Sequence, residues 1–248
     1  MVFHFDNEVE MLCGLDGPGK VLANAVHRIR PAAFRGTPGR STALYDAIVE
    51  AAKPLQAVTG RKAILLLTDG LDVGSQHTLD EAVEAAQRSD TAVYTILVSP
   101  AMLVRSSRYH PAPLVPSKNQ ALIQQYKEMN LTKGRAALLK IAMQTGASSF
   151  EATLSRSVKA IYEAMTEELR NQYRIGLACT EEACGPGYHS LSPVTLNNRY
   201  KVNVRQGFFA GELPVRTLER ICESGKDACT EISPLVRGYA ARDASATK

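Results

Sequence analysis

Two stretches carry oxygen donors in positions where chemistry could occur. "GRSTALYDAI", residues 39–48, sets Ser41 and Thr42 just ahead of an apolar-periodic segment. "KAILLLTDGLD", residues 62–72, runs an apolar stretch from Ala63 to Leu67 into Thr68, Asp69 and Gly70, with Asp72 beyond. A hydroxyl and a carboxylate are hard oxygen ligands, suited to Mg²⁺, Ca²⁺ or Mn²⁺. Two or three such oxygens do not enclose an ion, because Mg²⁺ takes about six. Each piece also has a purely local reading. Ser41 or Thr42 stands where a helix N-cap belongs, and Asp69-Gly70 is common turn chemistry.

Other reactive arrangements are not suggested by the sequence. The histidines, His4, His27, His77, His110 and His189, form no His-Glu-x-x-His pair, and there is no Gly-x-Ser-x-Gly elbow. "GPGK", residues 17–20, lacks the spacing of a phosphate loop and reads as a turn before a helix. The chain is therefore not expected to be an enzyme, a metal-dependent hydrolase being the least supported reading. Cys179, Cys184, Cys222 and Cys229 form two close pairs, open to local disulfides, free thiols or zinc.

The elements that would position the donors follow a simple order. Val2–Phe5 and Val9–Leu12 read as short strands around a polar turn, "DNE". Val21, Leu22, Ala25, Val26 and Ile29 recur at helical spacing before Pro31. Leu44, Ala47, Ile48, Ala51 and Leu55 mark a second helix, with Pro54 near its end. Ala63–Leu67 predicts a central parallel strand covered on both faces. Thr78 with Glu81 is a capping-box pattern opening a third helix, and "AVYTILVS" is the next buried strand. The alternation predicts an α/β fold: a doubly wound, mostly parallel sheet with helices on both faces.

Residues from about 100 to 134 lose the pattern and read as an insertion, with "ALIQQYKEMN" a short helix inside it. "RAALLKIAMQTG" predicts a helix closed by Gly146, followed by a strand in "ASSFEA". Val158, Ile161, Tyr162, Met165 and Leu169 line one face of a further helix. "YRIGLAC" and "YKVNVR" read as an antiparallel pair, and residues beyond 211 as a weakly packed tail.

"GRSTALYDAI" followed by "KAILLLTDGLD", then "LLKIAMQTGASSF", "EELRNQYRIGL" and "YKVNVRQGFFAG", resembles a von Willebrand factor type A domain. The nearest family is the VWFA-related one described from acidobacterial proteins, and the resemblance covers residues 1 to 211. It implies a Rossmann-like sheet with a metal-ion-dependent adhesion site at its top. There the family's threonine maps onto Thr42 and its later aspartate onto Asp69, with Ser41 and Asp72 as residues that would orient those ligands. The family's Asp-x-Ser-x-Ser motif does not occur in this chain. The resemblance thus implies that the first strand and helix are missing, and that Mg²⁺ or another divalent cation is held weakly or not at all. A late start, a genuine fragment and a rearranged sheet are the three explanations.

The expected domains are a truncated A-like domain at 1–178, a strand extension at 179–211 and a tail at 212–248. The expected function is non-enzymatic: a binding module for a protein partner with an exposed acidic residue. The alternative is a non-functional or purely structural fragment of a longer secreted protein. Net charge is +4 with the basic residues scattered, so no nucleic-acid surface is expected. No apolar run approaches the about 18–20 residues of a membrane span. "MVFHFDNEVEML" lacks the layout of a signal peptide, so an extracytoplasmic location is expected only if the missing segment carried one.

Overall fold

The computed structural model describes residues 1–15, 18–29, 42–98, 120–153, 155–173, 175, 185–195, 199 and 202–210. Ser41, the four C-terminal cysteines and residues beyond 210 lie outside them. The chain divides into two compact units: Met1–Asn171 with Leu191–Gln206, and Gln172–Ser190 with Gly207–Lys248.

In the first unit, β1 (Val2–Phe5) and β2 (Val9–Cys13) form an antiparallel hairpin. Helix α1 (Gly19–Arg28) follows, then α2 (Leu44–Ala52), which tightens into a 3-10 turn at Lys53–Leu55 around Pro54. Strand β3 (Lys62–Thr68), helix α3 (Leu79–Arg88), strand β4 (Thr91–Val98), helix α4 (Gln120–Thr145), strand β5 (Ser149–Ala152) and helix α5 (Val158–Arg170) complete it. Strands β3, β4 and β5 form a parallel sheet in that order, with Leu65 beside Tyr94 and Thr95 beside Ser149. The protein is a mixed α/β fold with helices packed on both faces of this sheet.

The pattern of each element explains the packing. In α2, Leu44, Ala47, Ile48, Ala51 and Ala52 fall at helical spacing and are all buried. Leu44, Ile48 and Val49 of α2, with Ala82, Val83 and Ala86 of α3 and Leu138 and Ile141 of α4, close over Leu66, Val93 and Leu97. On the opposite face, Ile161 and Met165 of α5 cover Tyr94, Ile96, Phe150 and Ala152. Burying each large side chain contributes about 1.5–3 kcal/mol. The capping box opens α3 as expected: the Glu81 amide donates to the Thr78 hydroxyl at 3.3 Å, and the Thr78 amide to the Glu81 carboxylate at 2.7 Å. Gly146 ends α4 with φ +78, the left-handed turn that favours glycine.

Several expectations need correction. β3 is not covered on both faces: among the described residues it stands at the edge of its sheet, and Leu65 and Leu67 on one face are exposed. α5 does not bury Val158 or Tyr162; Ile161 and Met165 face the sheet instead. The segments expected as a short helix and a separate later one are a single helix, α4, running through Gly134, so residues 120–134 are the first half of that helix. Of the expected antiparallel pair, "YRIGLAC" lies mostly outside the described residues. Val202–Arg205 is not a strand; in the second unit β6 (Gly187–Ser190) pairs with β7 (Gly207–Ala210). Its aromatic residues decide that register, with Tyr188 against Phe209 and His189 stacked on Phe208.

Candidate functional site

The site lies where β3 ends and α2 begins. Parallel strands present their carboxyl ends to one rim, the usual place for ligands in α/β sheets. Asp69 follows the last residue of β3 at that rim and is exposed. Thr42 precedes α2 by two residues and is half-buried. The loop after Asp69 folds back onto Thr42: the Val73 amide donates to the Thr42 carbonyl at 3.1 Å. On the other side, the Ala43 amide donates to the Asp6 carbonyl at 2.7 Å, which ties the end of β1 to the same turn.

The first turn of α2 is capped from outside. The N-cap is Ala43, whose side chain makes no cap bond, so Thr42 is not the cap; Ser41 lies outside the described residues. The free amides of Leu44 and Tyr45 donate instead to Asp72 Oδ1, at 2.9 and 3.3 Å. The Tyr45 and Asp46 amides also donate to the Ser75 hydroxyl, at 3.0 and 3.2 Å, and that hydroxyl donates to Asp72. A carboxylate against a helix N-terminus is also favoured by the helix dipole. Asp72 therefore works as a remote cap. Burial, and then the Asp72 charge, raise the Tyr45 phenol above its ordinary pKa.

Asp46 does the reciprocal work. Its carboxylate receives the Gln76 amide at 2.9 Å, the His77 amide at 2.9 Å and the His77 ring at 2.6 Å. Burial pushes this carboxyl up, but the hydrogen bonds from Gln76 and His77, with the His77 charge, outweigh it, so its pKa falls below the ordinary value. Ser75, His77 and Asp46 thus lie together without forming a nucleophilic triad. The Ser75 proton goes to Asp72, and His77 turns to Asp46.

Among the described residues, the Thr42 hydroxyl has no hydrogen-bond partner, and Asp69 receives only the Leu71 amide, at 3.2 Å on Oδ1. Both groups keep acceptor capacity for a hard cation. They are two donors where Mg²⁺ takes about six, so they fit a divalent ion only in part. Among the described residues, no three His, Cys, Asp or Glu side chains gather as a metal cluster. Sequence reasoning missed Asp6, whose Oδ2 is shielded from solvent and, among the described residues, has no hydrogen-bond partner, as is the case for His4 Nδ1. The signal was an acid ending a strand, the same signal that singled out Asp69.

No family model matches the chain, and no curated protein matches it. Among solved structures it is similar to an uncharacterized membrane spanning protein from Vibrio fischeri, at 17% identity and a TM-score of 0.28, over 68% of this chain and 74% of that one. That score does not define a shared fold. Among the described residues, no helix is long and apolar enough to cross a membrane.

Proposed function

We propose that this chain is a non-enzymatic protein-binding module of the von Willebrand factor A type, VWFA-related, with an incomplete adhesion site for a divalent cation. Thr42 and Asp69 are its remaining protein ligands. Water and an acidic side chain of a protein partner supply the other oxygens. Asp72 does not touch the ion in this reading; it caps α2 and thereby fixes the turn that carries Thr42.

One observation carries the proposal: the 3.1 Å hydrogen bond from the Val73 amide to the Thr42 carbonyl. It joins the loop that follows Asp69 to the turn that carries Thr42, which supports reading the two hard donors as parts of one site. Calorimetric titration with Mg²⁺, alone and with a glutamate-bearing peptide, tests it. Weak binding alone, strengthened by the peptide and lost in Asp69→Ala, is expected. Peptide binding that ignores both Mg²⁺ and Asp69 would overturn it.

A second reading, a purely structural segment, draws on the division of the strands of the first unit into separate sheets. It predicts no response to cation or peptide in the same titration.

A further inference from the structure

Strand β3 carries a bare stripe. Its even-numbered residues face the core, with Leu66 buried among α2, α3 and α4. Its alternate positions, and the residues flanking them, are all exposed: Arg61, Ala63, Leu65, Leu67 and Asp69. Leu65 is 40% and Leu67 46% exposed, where a strand of an α/β sheet is normally covered. The register explains the gap. Leu65 lies beside Tyr94 and Leu67 beside Ile96. Those β4 neighbours are buried under Ile161 and Met165 of α5, so α5 covers β4 and β5 and stops short of β3. Among the described residues, β3 also pairs with β4 alone, leaving an edge of the kind that recruits another strand.

We infer that this stripe is a self-association surface, and that its occupant is a second copy of this chain with the two β3 strands antiparallel across a two-fold axis at Leu65. The order of the stripe selects that occupant: basic, small, large, large, acidic. An antiparallel copy lays Leu65 on Leu65, Leu67 on Ala63, and Arg61 beside Asp69 at both ends. A parallel copy would set Arg61 beside Arg61 and Asp69 beside Asp69, which like-charge repulsion disfavours. One arm of Arg61 donates to the Leu169 carbonyl of α5 at 3.1 Å, which holds the guanidinium beside the sheet; the fork retains further donors for a carboxylate. A two-fold contact closes on itself, so the product is a dimer and not an open chain.

This inference does not rest on the cation reading, although Asp69 serves both. The test is therefore run without divalent ions. Sedimentation velocity of the full chain over a concentration series is expected to show a monomer–dimer equilibrium. Arg61→Asp and Asp69→Arg are each expected to weaken the dimer about tenfold or more, since each places like charges opposite one another twice. The double variant Arg61→Asp/Asp69→Arg restores the pairs and is expected to regain the dimer. Leu65→Lys removes it. Both charged positions are exposed, so the variants should keep the wild-type circular dichroism. A monomer at every concentration, assembly beyond the dimer, a dimer indifferent to either reversal, or a double variant that fails to recover would each overturn the inference.

Discussion

Gly70 and Gly134 meet backbone to backbone. A Cβ built on Gly134 would stand 2.6 Å from the Gly70 carbonyl oxygen, and Gly70 itself holds φ +85. Helix α4 thus crosses the loop behind Asp69 at a point where neither chain has a side chain. The contact gives a reason for a glycine in mid-helix, where it ordinarily costs about 1 kcal/mol relative to alanine.

Propensity and packing make opposite predictions at Gly134. Helix propensity alone says that Gly134→Ala stabilises. The contact says that α4 or the Asp69 loop must shift, a cost of about 1–3 kcal/mol for overpacking. We expect a net loss in urea unfolding. Gly19→Ala is the control, since a Cβ there meets nothing within 4 Å; it should be neutral or slightly stabilising. A gain at Gly134 would mean that the close approach is not maintained in solution.

The cap on α2 is the second quantity to measure. Asp72→Ala strips the acceptor from the Leu44 and Tyr45 amides and from the Ser75 hydroxyl. Losing an N-cap costs about 1–2 kcal/mol. Asp72→Asn keeps one acceptor oxygen and should cost clearly less. Equal losses in the two variants would show that charge, and not the hydrogen bonds, dominates.

Asp46 sets an acid-side dependence. Its carboxyl is held below the ordinary range in the folded protein, by hydrogen bonds that burial does not outweigh. Its stabilising contribution is therefore fully present above the unfolded pKa of about 4, and is lost as pH falls through the lower folded value. The stability difference between wild type and Asp46→Asn, read from urea midpoints, should shrink as pH drops below about 4. A difference that stays constant across that range would place the effect in packing.

The fold was legible where local pattern and burial agreed. The helical spacing of α2, the capping box of α3 and the apolar runs of β3 and β4 each announce their element, because one face of each must leave water. What stayed hidden depends on partners distant in sequence. The cap of α2 is absent from its own N-terminus, since Asp72 and Ser75 deliver it from the next loop. Helix α4 looks broken at Gly134 until the crossing with Gly70 is seen. The apolar run of β3 looks like a strand covered on both faces, yet α5 reaches only β4 and β5. Within the candidate site, Asp69 and Thr42 were visible as residue types. Their convergence was expected from the resemblance; what stayed hidden was the hydrogen bond from the Val73 amide to the Thr42 carbonyl, which joins the two segments.

The most direct test of the cation site is paramagnetic broadening of amide signals by Mn²⁺ on the labelled chain. Signals of Thr42, Ala43 and Asp69 to Val73 should broaden together over one titration, at roughly millimolar Mn²⁺ for so few ligands, and Asp69→Ala should abolish the effect at Thr42 as well as in its own loop. If Thr42 keeps a sharp signal while Asp69 broadens, or if the variant leaves the pattern unchanged, the two donors do not share an ion.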